Sequence, residues 1–456
     1  MGLLPEIGSL GSLPSRIVSG LHRLDQPSCF HDFLDGSACQ TVGPVCSVRT
    51  RNVRVDPRPC HEIDRMQFAA ALSDETSLSA ACTAVVQAVL QEMGGTPIDL
   101  AVVFVSPQYG SALEEHLPQL VSRLQATVII GTTAEAIIGG DRELEHQPAL
   151  SLWVARLPGA RLTPFRIEFE QTPDGVICLG IPDDLAEQAG EHRAILLLGD
   201  PFSSQPRALL ERLQSDLPSV PIIGGLASGG GPGENRLLWN SELYTAGALA
   251  VLISNGPRID AVVSQGARPV GQPMVITKAE QHLIYALGGK SPLKQLGELL
   301  PTLSERDQKL FEEGILLGIA MSEYREVFQR GDFLISGVLG ADRETGALAV
   351  GNRVRVGQTV QFHLRDAEAA EEDLADLLTA DRHQKNRPQA ALLFSCNGRG
   401  TRMFATADHD ACAVQSLLGP LPLAGMFAQG EIGPVGSQTY LHGFTASIAL
   451  FRDATE

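Results

Sequence analysis

Cysteine is scarce in this chain, with 8 among 456 residues. That is too few for a disulfide scaffold, and Cys29, Cys39, Cys46 and Cys60 fit no paired C-x-x-C zinc spacing. A reduced, cytoplasmic protein without a metal site is the expectation. No run of 18 apolar residues free of charge occurs, so no transmembrane helix is expected. Met1 to Leu10 lacks the basic start of a secretory signal. Positive charge is in deficit: Lys and Arg number 35 against 53 Asp and Glu, a net −18. That balance argues against broad binding to nucleic acid or anionic membrane, which both select a basic face.

The familiar catalytic signatures are missing too. Gly289-Lys290-Ser291 resembles the end of a phosphate-binding loop, but Ile284 stands where that loop needs a glycine. Lys290 then reads as a turn lysine. The run Gly224 to Gly233 is not a dinucleotide fingerprint, and no Gly-x-Ser-x-Gly elbow is present. Ser291-Pro-Leu-Lys294 has neither a Lys-Thr-Gly nor a Ser-Asp-Asn partner, and none of the 11 histidines forms a His-Glu-x-x-His pair. No catalytic residue, cofactor or metal ligand is assigned.

What is present is an ordinary core-forming composition, 44% apolar and 19% charged. The length suits two large domains or three smaller ones. Residues 1–65 stand apart, with half the cysteines, several prolines and no helical period. They read as a loose extension or as sequence upstream of a start at Met66; a strand pair near Val45 to Val55 is the alternative. Thr76 to Met93 then reads as a helix, with Leu78, Cys82, Val85, Val86 and Val89 on one side.

A three-fold echo follows. Ala101 to Ser106, Ala194 to Gly199 and Ala391 to Cys396 are apolar runs ending in polar tips, as strands buried on both faces would be. Each leads into a helix: Leu113 to Leu124, Pro206 to Leu217, Asp408 to Leu418. Each helix leads to a second strand carrying Gly-x-x-Ala: Gly131 to Ala134, Gly224 to Ala227, Gly425 to Ala428. Ala101 to Gly131 and Ala194 to Gly224 both span 30 residues, and Ala391 to Gly425 spans 34. A Gly-rich loop and a third strand close each unit, at Leu150 to Ala155, Ala248 to Ile253 and Ser447 to Phe451. The first two strands of a unit are expected to pair in parallel through the helix and the third to return antiparallel. The fold class is α/β with mixed sheets, built from repeated strand-helix-strand-strand units.

An insertion over 258–388 separates the second and third units. It holds a helix at Pro292 to Leu300, a strand-and-turn region at Gly331 to Val356, and an acidic helix at Asp366 to Thr379. That helix presents Ala369, Leu374, Leu377 and Leu378 on its apolar side, and Asp381 to Arg387 reads as a polar linker.

Ligands of α/β sheets bind beyond the carboxyl ends of strands. The polar tips there are the candidates. They are Ser106-Pro-Gln108; Asp200, Ser203 and Ser204 with Ser228, Asn235 and Arg236 of the following Gly-rich loop; and Ser395, Cys396, Asn397 and Arg399 with Glu431 and His442. Arg399 would grip a carboxylate with two hydrogen bonds. Glu431 would hold an ammonium group, and Asn397 offers donor and acceptor. The bland reading pairs Arg399 with Glu431 and leaves His442 as a packing residue. Cys396 beside His442 would be a nucleophile if a base activated it, though most free cysteines are small buried hydrophobes.

At these residues the chain resembles the FIST family, a sensory module named from F-box and intracellular signal transduction proteins. The resemblance covers about 66–451. It is carried by Ile129-Ile-Gly-Thr-Thr-Ala134, Ile138-Gly-Gly-Asp-Arg-Glu143, Pro148-Ala-Leu-Ser-Leu152, Asp200-Pro-Phe-Ser-Ser204, Gly224-Gly-Leu-Ala-Ser-Gly229 and Gly233-Glu-Asn-Arg-Leu237. In the C-terminal half it is carried by Gly331-Asp-Phe-Leu-Ile335, Gln361-Phe-His-Leu-Arg-Asp366, Phe394-Ser-Cys-Asn-Gly-Arg399, Gly430-Glu-Ile-Gly-Pro434 and Leu441-His-Gly-Phe-Thr445. Thr132-Thr133 departs from the family's Cys-Ser or Cys-Thr pair.

The resemblance implies a FIST N domain over 66–257, a FIST C domain over 258–451 and a short tail at 452–456. It implies an intracellular sensor of small molecules, amino acids among them, that is not an enzyme. With no fused output domain in view, such a sensor would signal through a separate partner protein. The alternatives are an enzyme built on Cys396, His442 and Glu431, and an interaction scaffold docking through the acidic helix.

Overall fold

The computed structural model describes residues 65–173, 175–187, 194–325, 327–328 and 331–454. The extension, the strand pair near Val45 and the first four cysteines lie outside the described residues, as does any test of a start at Met66.

Three units of one plan follow each other. The first comprises β1 (Gln67–Ser73), α1 (Leu78–Met93), β2 (Leu100–Val105), α2 (Ala112–Leu124), β3 (Val128–Thr133), the hairpin β4 (Ala136–Gly139) and β5 (Arg142–Glu145), and β6 (Leu150–Arg156). The second comprises β7 (Arg161–Thr172), β8 (Gly175–Leu179), β9 (Ala194–Gly199), α3 (Pro206–Asp216), β10 (Ile222–Leu226), the hairpin β11 (Leu237–Trp239) and β12 (Glu242–Tyr244), and β13 (Ala248–Ser254). The third opens with β14 (Arg258–Gln265) and is interrupted by a closed six-stranded barrel. The barrel holds β15 (Ala267–Glu280), β16 (Leu283–Leu287), α4 (Pro292–Leu299), α5 (Glu305–Glu313), β17 (Ile315–Ala320), β18 (Phe333–Ala341), β19 (Leu348–Val350) and β20 (Thr359–Arg365). The unit then resumes with α6 (Ala367–Arg382), β21 (Ala390–Cys396), α7 (His409–Leu418), β22 (Leu423–Ala428), the hairpin β23 (Glu431–Val435) and β24 (Gln438–His442), and β25 (Thr445–Arg452).

The expected pairings hold in all three. β2 and β3, β9 and β10, and β21 and β22 are parallel, while β6, β13 and β25 return antiparallel beside the first strand of each pair. Steric need explains the repeated Gly-x-x-Ala. A Cβ on Gly131, Gly224 or Gly425 would stand 2.5, 1.8 or 2.0 Å from the carbonyl oxygen of Val103, Leu197 or Leu393 on the paired strand.

Each unit carries a β-hairpin between its second and third strands, preceded in the second unit by the Gly-rich loop 228–236, and each hairpin leaves its own unit. β4 of the first unit pairs with β22 of the third. β11 of the second pairs with β3 of the first, and β23 of the third pairs with β10 of the second. The exchange is cyclic and closes the three sheets into a ring. Where the loops after the second strands meet, the Ser228 amide donates to the Thr133 carbonyl (3.3 Å) and the Gln429 amide to the Leu226 carbonyl (3.1 Å). The remaining link runs through one hydroxyl: the Glu135 amide donates to Ser228 Oγ (2.9 Å), which donates to the Phe427 carbonyl.

Strand alternation sorts side chains between two layers. Leu100, Val102 and Phe104 point into a core shared with Leu196, Leu198, Leu392 and Phe394 of the other units, whereas Ala101, Val103 and Val105 face α1 and α2. The barrel has its own core, including Ile276, Leu317, Val338 and Phe362. In α6 the buried residues are Ala369, Ala370, Leu374, Leu378 and Asp381, while Leu377 stays exposed. The helix runs three residues past Thr379, because Asp381 is no linker residue: it is buried and ion-paired with Arg452.

Candidate functional site

The second-unit candidates form a closed structural network. Asp200, at the tip of β9, is buried. Its carboxylate accepts hydrogen bonds from the Phe202 amide (3.1 Å), Ser203 Oγ (2.8 Å) and Asn235 Nδ2 (2.9 Å). Ser203 Oγ also accepts from the Gly247 amide (2.6 Å), and Asn235 Oδ1 from the Gly230 amide (3.1 Å). Burial pushes the Asp200 carboxyl up, against these hydrogen bonds. Ser228 is the linking hydroxyl described above. Arg236 pairs with Glu114 at 2.7 Å and donates to the carbonyls of Gly233, Glu234 and Asn235, so it shapes its own loop.

The third-unit candidates gather at the end of β21, where the 396–402 turn, the start of α7, β23 and the visiting hairpin β4–β5 converge. Arg399 is fully buried. The bland reading paired it with Glu431; the structure pairs it with Asp410 instead. Nε reaches Asp410 Oδ2 at 2.7 Å and Nη2 reaches Oδ1 at 2.7 Å. Ser395 Oγ adds 2.7 Å to Oδ2 and His409 Nδ1 lies 2.9 Å from Oδ1. His409 stacks on Phe404 with ring centroids 3.5 Å apart, and that ring also lies 5.1 Å from the Arg399 guanidinium carbon. Burial works against both charges, but the pair outweighs it: Asp410 is held well below the usual carboxylate range and Arg399 is raised.

Two further carboxyls flank this pair. Glu431, first residue of β23, accepts at Oε2 from the Thr445 amide (3.0 Å) and Thr445 Oγ1 (2.9 Å). Burial raises it to about 8. Glu143, on β5, accepts at Oε1 from the Ala411 amide at the start of α7 (2.9 Å). Burial, then the Asp410 charge, raise it to about 8 as well. Both lie within electrostatic reach of Arg399.

Cys396 lies beside Glu431, and its sulfur accepts from the Gly398 amide at 3.4 Å. Burial and the Glu431 charge push the thiol far up, opposite to the lowered pKa of a nucleophilic cysteine. His442 is the registered cross-strand partner of Glu431. Its Nε2 lies 2.9 Å from the Gly433 carbonyl, and burial lowers its pKa to about 4, which leaves it neutral at pH 7. Asn397 is half-buried; its amide donates to the Ala428 carbonyl (2.9 Å) and its carbonyl accepts from Arg402 (2.6 Å).

Buried polar atoms without a hydrogen-bond partner collect here: Arg399 Nη1, Glu143 Oε2, Glu431 Oε1 and His442 Nδ1. Such atoms are rare in folded proteins and call for a reason. Among the described residues no group of His, Cys, Asp and Glu is placed to hold a metal ion, and no helix is long and apolar enough to cross a membrane. Sequence reasoning gave no role to Asp410, Glu143 or Thr445, and named Ser395 only as a polar tip. The one signal for Asp410 was that a buried arginine needs a carboxylate, and α7 begins with one.

Comparison with known proteins agrees with this architecture. Residues 99–290 match the FIST N domain and residues 292–434 the FIST C domain. An uncharacterized protein of Mycobacterium tuberculosis is 42% identical over 364 residues, covering 79% of this chain and 92% of its own. An uncharacterized protein of Mycobacterium bovis is 39% identical over 369 residues, covering 80% of this chain and 93% of its own. The chain belongs to the FIST family, whose domains are generally associated with sensing in signal transduction.

Proposed function

We propose that the chain is a small-molecule sensor whose site is the buried charge cluster of the third unit, and that its ligand is an amino acid or similar zwitterion. The observation that carries this reading is the set of unmatched atoms around Arg399. A ligand carboxylate would take Arg399 Nη1, and a ligand ammonium would take Glu431 Oε1. Cys396 and Asn397 would line the site, and Asp410 would hold Arg399 in place throughout. The second-unit residues Asp200, Ser203, Ser228, Asn235 and Arg236 serve this reading as the frame that positions the neighbouring hairpins. The state described is closed, since these atoms are out of solvent contact. Binding therefore requires an open form, and a ligand that prefers one form shifts the balance between them. A separate partner protein and a cytoplasmic setting belong to the same proposal.

The test is thermal unfolding against a panel of amino acids, matched amines and matched carboxylates. A ligand at 100 times its dissociation constant adds about 2.7 kcal/mol. Stabilisation by zwitterions but not by the matched amine or carboxylate supports the reading. No stabilisation by any member at millimolar concentration removes it.

A further inference from the structure

We propose that Arg365 and Phe444 form a latch that closes the buried cluster and ties it to the barrel. The inference concerns regulation of the site just described and rests on that cluster being the binding site. Phe444 sits in the turn between β24 and β25 with φ of 63°, a left-handed conformation that a bulky side chain adopts only under constraint. Three contacts supply the constraint. Its carbonyl accepts from the Gly266 amide at 2.8 Å. Its ring lies over the 396–398 turn, where a Cβ on Gly398 would stand 3.5 Å from two ring carbons. Its outer side packs against the apolar cluster of Ala267, Leu316, Phe333 and Ile335 on the barrel's exterior.

Arg365 completes the latch from the last residue of β20. Its guanidinium carbon lies 5.9 Å from the Phe444 ring centroid. Its Nη2 donates to the Gly398 carbonyl and, at 3.0 Å, to the Arg402 carbonyl. Those carbonyls belong to the turn that carries Arg399. The next residue, Asp366, anchors the barrel to the body. It caps α6 and takes Arg268 Nε at 2.8 Å and Arg306 Nη2 at 2.7 Å. A shift of the 397–402 turn therefore pulls on β20 directly, and a shift of the barrel loosens the turn, as coupling between two sites must be reciprocal.

The Cys396 thiol reports opening without any ligand. Buried, it is held protonated; exposed to water, it regains ordinary acidity and reacts. The full chain is treated with N-ethylmaleimide and the labelling rate of each cysteine is read by peptide mass mapping. Arg365→Met should speed labelling of Cys396 about tenfold or more by raising the open population. Phe444→Gly, which keeps the positive φ at no steric cost, should do the same. Arg306→Met, which weakens only the barrel's anchor, should raise the rate in the same direction. Cys82, buried in the first unit, should label no faster in any variant, which separates latch opening from unfolding. An unchanged Cys396 rate in Arg365→Met and Phe444→Gly overturns the latch, and an unchanged rate in Arg306→Met overturns its link to the barrel. Because no ligand is used, failure of the latch and failure of the amino-acid reading are told apart.

Discussion

The Arg399–Asp410 pair sets the terms for its neighbourhood. Removing one partner of a buried pair leaves an uncompensated charge, at a cost of roughly 3–5 kcal/mol. Arg399→Ala should therefore lower the melting temperature sharply, and Arg399→Met combined with Asp410→Leu should recover much of the loss. A double variant as unstable as the sum of the single ones would contradict this account. The flanking carboxyls give a second prediction. Glu143 and Glu431 lie at about 8 in the folded chain against 4.5 when free. Between those values the folded state binds more protons than the unfolded one. Their favourable share of stability is thus full below pH 4.5 and is lost as pH rises through 8. Glu431→Gln should gain stability relative to the parent across that window, on the order of 1–3 kcal/mol at pH 9. Melting curves from pH 5 to 9 that run parallel in the two proteins would contradict it.

At the scale of elements, the second strand of each unit carries a tight steric demand. Gly425→Ala would place a Cβ 2.0 Å from the Leu393 carbonyl oxygen, so β22 must shift away from β21. The cost should be at least ~1–3 kcal/mol, whereas Gly398→Ala, with its nearest atoms at 3.5 Å or more, should cost less. Chemical denaturation of the two variants checks the order. This level was also the most legible in sequence. β2, β9 and β21 showed themselves as short apolar runs, and the helices as periodic segments bounded by Ser, Pro or Asp. The hairpins β4–β5, β11–β12 and β23–β24 did not show. Their strands are 3 to 5 residues long, and their partners lie in another unit, so no local pattern marks them. Ser228 was legible as a polar tip, but its service to backbone groups of two other units was not. Arg399 was read as gripping a ligand carboxylate; in the structure it grips Asp410, at the start of the next helix.

For the whole molecule, hairpin exchange means that no unit owns a complete sheet. Residues 66–257 alone would lack β22 beside β4 and β23 beside β10. The second sheet would then be open at β10 and the β4–β5 hairpin would have no sheet to join, and unpaired edges invite association. Expressed separately, 66–257 and 258–451 should each aggregate or show few slowly exchanging amides, and co-expression should restore a stable pair. Independent, cooperative folding of either piece would contradict the ring. Closure also explains how a local event could travel. The visiting β5 brings Glu143 to the third-unit cluster, so the first unit touches the site directly, while the barrel touches it through Arg365.

The most direct test is a calorimetric titration of the parent, Glu431→Gln and Asp200→Asn with the best zwitterion from the panel. The account predicts binding by the parent and by Asp200→Asn, and at least tenfold weaker binding by Glu431→Gln, a difference of about 1.4 kcal/mol or more. Equal affinity in Glu431→Gln, or loss in Asp200→Asn alone, would place the ligand away from the third-unit cluster and contradict the account.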